Sequence, residues 1–162
     1  MNISKWNTNI NYSNKTLETE NLKFINHSNL VGVFVKEITY PDHILYGEKG
    51  LFSRRYWKKF EIIGNYTGVL SEKNEGKYLA KLYHDDSYNL CIDGEYYGNE
   101  LRYINDYRNI KNTPNCKFIS SIIDGKQQIL VVVIEDIPSY NEVLIDYGYD
   151  YCSHYNIKPL KQ

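Results

Sequence analysis

Hydrophobic and polar positions alternate in short stretches along most of the chain, a spacing that predicts strands rather than helices. Val31-Gly32-Val33-Phe34-Val35 reads as one strand and Ile62–Val69 as another, closed by Gly68. Asp124-Gly125 between two β-rich stretches, Ile122-Ile123 and Lys126–Ile129, predicts a hairpin turn that leads into a strand over Ile129–Glu135. A turn at Pro138 and a strand over Glu142–Tyr147 follow. Helical spacing is confined to Gly76–Tyr83, enough for two turns, and to Gly98–Ile104, with Asn99 as its cap. Residues 1–29 contain eight asparagines and show no period, which predicts a leader or irregular cover before a domain that begins near Leu30. The fold class expected is mostly β, with one or two short helices.

Length and composition narrow the function. At 162 residues the chain suffices for one domain with its own core. Its 19 Lys+Arg against 20 Asp+Glu argue against a protein built to neutralise nucleic acid or an anionic membrane. Arg54–Lys59 is the exception, a basic run with interleaved aromatics; its simpler reading is a solvated turn. The longest apolar run, Ile129–Ile134, has the length of a strand, and the polar start lacks the apolar core of a secretory signal. Cys91, Cys116 and Cys152 are too scattered for a disulfide framework or a zinc site, which suits a reducing, intracellular compartment. His27, His43, His84 and His154 lack metal-ligand spacing, so no metal is expected. Glycine-rich phosphate loops and a nucleophile elbow are absent as well. The unusual feature is 17 tyrosines against 5 phenylalanines: apolar surface that carries hydroxyls in need of partners.

Three segments take on meaning together. The first is Gly47-Glu48-Lys49-Gly50-Leu51-Phe52-Ser53, followed by Glu61–Gly68 with its Tyr66-Thr67-Gly68. The second is Gly98–Asp106 with Arg102-Tyr103-Ile104-Asn105, running on to Pro114-Asn115-Cys116. The third is Ile137–Tyr151, which contains Asp146-Tyr147-Gly148. In this order and spacing they resemble the SET domain of protein-lysine methyltransferases over about residues 30–151. The resemblance implies a β-clip fold of small sheets with a threaded C-terminal segment, S-adenosyl-L-methionine as cofactor, and methyl transfer to a protein lysine. It leaves residues 152–162 as a short tail that closes the site, alone or with a second copy of the chain.

The resemblance also implies roles. Tyr147 matches the family's catalytic tyrosine, which orients amine and methyl, and Tyr66 a tyrosine bordering the lysine channel. Lys49-Gly50-Leu51 match a turn whose backbone holds the methionine part of the cofactor; Asn105-Asp106 match an Asn-His pair whose backbone contacts the adenine, with Arg102 on the same side. Phe118 and Ile145 match positions that set the room around the amine, here space for a second or third methyl, and Tyr149 matches the channel mouth. Such a channel sheathes the lysine stem, favours the cation on entry and then, by desolvation, the neutral nucleophile. Asp85, Asp86, Asp93 and Glu95 would suit a basic peptide such as a histone tail, added as a strand beside the Ile92 segment, with action in the nucleus if the substrate is a histone. Two departures stand out. The family's Asn-His-Ser-Cys is here Asn105-Asp106-Tyr107-Arg108, and its Gly-x-Gly turn is blurred, with Gly47 one residue early and Glu48 in the place of the first glycine. Loss of the His is a change shared with PR domains, so the alternative is an interaction module of that type with weak or no activity.

Overall fold

The computed structural model describes residues 30–72, 76–82 and 90–148, together with the main chain of residues 11–12. The chain runs β1 (Asn11–Tyr12), β2 (Val33–Glu37), β3 (Lys49–Ser53), β4 (Ile62–Tyr66), β5 (Val69–Ser71), β6 (Leu79–Lys81), β7 (Cys91–Asp93) and β8 (Tyr97–Gly98). After a 3₁₀ turn at Glu100–Tyr103 come β9 (Asn105–Asp106), β10 (Cys116–Ile123), β11 (Lys126–Val133) and β12 (Leu144–Ile145). They form five small sheets, in the orders β1-β8, β2-β3, β10-β11-β4, β5-β7-β6 and β12-β9. The mostly β expectation holds.

Local chemistry accounts for much of this. Asp124 and Gly125 take φ of 51° and 73°, the left-handed pair that a two-residue hairpin between β10 and β11 requires. Asn99 caps the 3₁₀ turn: its side chain accepts from the Leu101 N–H and donates to the Asn65 carbonyl at 2.8 Å. The long strand expected over Ile62–Val69 breaks at Thr67-Gly68 into β4 and β5. A Cβ on Gly68 would lie 2.2 Å from the Asp93 carbonyl oxygen, so only glycine lets the two backbones pass. Two expectations fail. Gly76–Lys81 holds no helix, because Leu79, Ala80 and Lys81 pair with Asp93, Ile92 and Cys91; sheet pairing outweighs a two-turn helical pattern. The strand expected over Glu142–Tyr147 shrinks to Leu144–Ile145. Within the segment expected to be a leader, β1 pairs in parallel with β8.

One core joins the sheets. Leu51, Ile92, Leu101, Ile129, Val131, Val133, Ile137, Val143 and Ile145 are almost wholly buried in it, each contributing about 1.5–3 kcal/mol. Phe34, Ile38 and Phe52 form a second cluster on the other face of the β2–β3 pair. Cys116 is completely buried, and burial pushes its thiol up to about 12, so it acts as a small apolar residue. The basic run is anchored in place: Arg55 stacks 3.5 Å over Trp57 and pairs with Glu61, and Asp136 accepts from the Tyr56 hydroxyl and the Lys59 N–H. Among the described residues no helix is long and apolar enough to cross a membrane, and no group of three or more His, Cys, Asp or Glu could hold a metal ion.

Residues 137–147 tie the sheets together. Ile137 bridges Trp57, the Val143 N–H donates to the Leu51 carbonyl, and β12 lies parallel to β9. The buried Asn115 completes the tie: its Nδ2 donates to the Glu142 carbonyl, and its Oδ1 accepts from the Leu144 N–H, each at 2.8 Å. Asn115→Ala removes both bonds and leaves two buried backbone groups unpaired. It is expected to cost about 2–4 kcal/mol, read as a lower denaturation midpoint at unchanged m-value.

Candidate active site

The candidate residues fall on two adjoining parts of the core. Tyr66 ends β4, opposite Ile129 of β11, and Phe118 lies on β10 opposite Val131. Their rings meet edge to face, with centroids 5.3 Å apart. Tyr66 and Ile145 are buried in the main cluster, against which Phe118 and Tyr147 pack, so four of the five residues proposed for the lysine channel share one apolar body. The fifth, Tyr149, lies outside the described residues, as do Asp85, Asp86 and the tail over 152–162.

Both key tyrosines have committed their protons. The Tyr66 hydroxyl donates to the Tyr78 carbonyl at 2.7 Å, and the Tyr147 hydroxyl donates to the Ile104 carbonyl. A phenol that gives its proton to a carbonyl presents only lone pairs to a further partner. The Tyr147 main chain is fixed as well, its N–H donating to Asp106 Oδ2 at 2.8 Å.

The expected cofactor residues form the second group. Lys49, Gly50 and Leu51 are strand residues of β3, paired with Glu37, Lys36 and Val35, and the turn precedes them. Gly47 belongs to that turn, where its N–H donates to the Ile38 carbonyl. Asn105 Nδ2 donates to the Lys49 carbonyl at 3.2 Å and to Glu142 Oε1 at 2.9 Å. Glu142, 8% exposed, accepts at Oε2 from His43 Nε2 at 3.1 Å. His43 Nδ1 accepts from the Leu45 N–H, which leaves the ring proton on Nε2. Gly50 sits on this network: an added Cβ would come within 2.8 Å of Glu142 Oε1 and 3.2 Å of Asn105 Nδ2. A side chain at position 50 would therefore have to displace the Glu142 carboxylate from this network. Lys49 Nζ lies 5.6 Å from the centre of the Tyr103 ring.

Arg102 is buried. It donates from Nε to the Gly94 carbonyl at 2.7 Å and from Nη2 to the Glu95 carbonyl at 3.2 Å, and its guanidinium stacks 3.8 Å over Tyr78. Burial raises the pKa of the neighbouring Tyr103, although Arg102 opposes the shift. Asp106 is buried and bonded to Arg108, which also reaches Asp146. Burial alone would lower the Arg108 pKa, but the hydrogen bonds to Asp146 and Asp106 outweigh it and hold the guanidinium charged.

Two surface expectations need correction. β7 is paired on both sides, by β5 and by β6, so the Ile92 segment has no edge for an added strand. Asp93 is buried, with Oδ1 accepting from the Glu95 N–H at 2.9 Å; it builds a turn rather than an acidic surface. Sequence reasoning also missed the side-chain roles of His43, Arg108, Asn115 and Glu142. Asn115 and Glu142 stood inside the quoted motifs, whereas His43 gave no local signal.

Gly50→Ala is expected to destabilise the fold by about 1–3 kcal/mol through overpacking. Glu142→Ala in the same chain should return part of that loss. A thermodynamic cycle with strictly additive terms would show that Gly50 and Glu142 do not meet.

Residues 48–148 match the SET domain family. Among solved structures, the chain is similar to the Chaetomium thermophilum polycomb repressive complex 2, with a TM-score of 0.60 at 22% identity over 73% of this chain and 15% of that one. It is also similar to an active polycomb repressive complex 2 in the basal state (TM-score 0.60, 24% identity, 72% and 15% covered). A third similar structure is ctPRC2 in an autoinhibited conformation bound to S-adenosylmethionine (TM-score 0.58, 24% identity, 72% and 15% covered). The chain thus spans 15% of the length of these relatives, and at such identity the likeness speaks for the fold. No curated protein gives a significant match.

Proposed function

The chain belongs to the SET domain family, and on that premise we propose that it transfers methyl groups from S-adenosylmethionine to a lysine side chain of a protein. The single observation that carries this reading is the pair of tyrosines whose hydroxyl protons are both given to main-chain carbonyls, Tyr66 to Tyr78 and Tyr147 to Ile104. Two phenol oxygens set as acceptors suit a neutral amine, which offers N–H groups to be held while its lone pair points elsewhere.

The donor set fits the cofactor. Lys49 offers an ammonium for a carboxylate, Tyr103 an aromatic face, and the Ile104 carbonyl and Tyr147 hydroxyl offer oxygens to a cationic centre. Lys49, Gly50, Leu51, Arg102, Asn105 and Asp106 are the residues proposed to hold it, and when bound it supplies an electrophilic methyl on a sulfonium. Arg102 does so by fixing the 93–95 turn against the 3₁₀ turn, since its hydrogen bonds run to Gly94 and Glu95. The protein contributes position and exclusion of water. Tyr66, Phe118, Ile145 and Tyr149 line the lysine path in this reading. Tyr66 and Phe118 flank the stem, and burial lowers the lysine pKa so that the amine is neutral once it is desolvated at the reacting centre. The ring of Phe118 carries no hydroxyl to hold a water beside the amine, which leaves space for further methyl groups. A basic peptide, with a histone tail as the foremost case, pairs with an outer strand of the β5-β7-β6 sheet; β5 leads into the exposed Glu72. A histone substrate places the action in the nucleus.

Calorimetry or thermal shift with S-adenosylmethionine, followed by mass spectrometry of methylated core histones, tests the proposal. Saturating cofactor at 100 times its Kd should stabilise the protein by about 2.7 kcal/mol. No shift at millimolar cofactor would favour the PR-type interaction module instead. Tyr147→Phe is expected to lower transfer by roughly 10²-fold or more, with cofactor affinity kept within several-fold, and an active variant would remove Tyr147 from the mechanism. A strictly monomethylated peptide would overturn the argument from Phe118.

A further inference from the structure

Asp106, Arg108 and Asp146 form a charged clasp around the main chain of Tyr147. Asp106 Oδ1 accepts from the Arg108 N–H at 2.9 Å, and Oδ2 accepts both from Arg108 Nη1 at 2.7 Å and from the Tyr147 N–H at 2.8 Å. Arg108 Nη2 donates to Asp146 Oδ1 at 2.7 Å, which also accepts from the Gly148 N–H at 2.7 Å. One guanidinium therefore spans two carboxylates, and between them these carboxylates hold the amides on both sides of the Tyr147 α-carbon. The Asp106 side chain is 7% exposed, that of Arg108 16% and that of Asp146 48%.

We propose that Arg108 is a positioning residue for Tyr147, acting through Asp106 and Asp146 to set where the phenol oxygen lies. The β9–β12 ladder cannot do this alone. Its pairing ends at Ile145–Asp106, and the Tyr107 N–H to the Ile145 carbonyl is the backbone bond that follows. Beyond it the N–H groups of Tyr147 and Gly148 are held by carboxylate side chains. Asp106 Oδ2 is shared between Arg108 and the Tyr147 amide, so loss of the guanidinium removes a counter-charge from a buried carboxylate. The orientation of that carboxylate toward the Tyr147 amide is then no longer fixed by a charged partner. The fork geometry matters: a lysine ammonium is a point charge and cannot lie in the plane of both carboxylates at once. The departure Asn105-Asp106-Tyr107-Arg108 then reads as one device, in which the acid at 106 and the arginine two residues later work as a pair. The inference rests on the methyl-transfer reading for its consequence, but its geometry is independent of that reading.

The test labels the full-length protein with ζ-¹³C-tyrosine and assigns the Tyr147 signal by its loss in Tyr147→Phe. In Arg108→Gln the Tyr147 resonance should shift or broaden. kcat for a peptide substrate should fall about tenfold or more, since a displacement of about 1 Å can cost about 10²-fold, while the peptide KM moves less than about threefold. Arg108→Lys should restore the thermal midpoint better than it restores kcat, a split that a merely structural ion pair would not produce. Asp146→Asn, at a half-exposed position, should move the same resonance less and covers the case in which Arg108→Gln fails to fold. An unmoved Tyr147 signal in either folded variant overturns the inference, as does equal recovery of midpoint and kcat by lysine. A wild-type protein that transfers no methyl group overturns the proposed function alone, because the resonance still decides the clasp.

Discussion

The buried carboxamide of Asn115 does work that a wider sheet would otherwise do. The described strands are mostly two to five residues long and form sheets of two or three, too narrow for any sheet to bury both its faces by itself. Stability must come from joining the sheets, and residues 137–147 make that connection by touching β3, β9 and the Trp57 region in turn. Along this path the backbone meets too few ladder partners, so Asn115 supplies one donor and one acceptor at Glu142 and Leu144. A buried amide satisfied in this way specifies register: moved by one residue, the segment would leave both groups unpaired.

That register is what places the candidate chemistry. With Leu144 opposite Asn105 and Ile145 opposite Asp106, Glu142 falls where it bonds both Asn105 and His43, and Tyr147 falls where its hydroxyl meets the Ile104 carbonyl. The Lys49 carbonyl, the Asn105 amide and the Glu142 carboxylate then form a continuous network from β3 to the end of the thread. A site assembled from such short elements depends on side-chain hydrogen bonds for its rigidity, since the ladders are too short to give it.

Features governed by neighbours in sequence are legible in the sequence itself. The Asp124-Gly125 hairpin and the Asn99 cap depend on local backbone preference, and both are present. The three motif segments were legible because their order and spacing carry the SET resemblance, and that family holds for residues 48–148. What was hidden depends on distant partners. His43 shows no pattern around it, yet its ring meets Glu142 from the far end of the chain. The helix expected within Gly76–Tyr83 is absent from its described residues for the same reason, because β7 imposes the strand conformation on Leu79–Lys81. Gly50 illustrates a subtler gap: the residue was singled out, and the structure adds a constraint that the sequence did not show, the packing of Glu142 and Asn105 against its bare α-carbon.

The tyrosine surplus shows how one residue type divides by environment. Tyr40, Tyr46 and Tyr96 are more than half exposed. Tyr66 is buried and Tyr147 packs against the same core, where a hydroxyl proton without a partner costs about 1–3 kcal/mol. Both resolve that cost by donating to a main-chain carbonyl. Backbone carbonyls cannot rotate away or change their protonation, so the direction of each remaining lone pair follows from the fold itself. An acceptor whose direction is set by backbone geometry holds its orientation wherever the fold is intact. For a reaction that needs an amine held in line, with no proton removed by the protein, such fixed acceptors suffice without a histidine or carboxylate base.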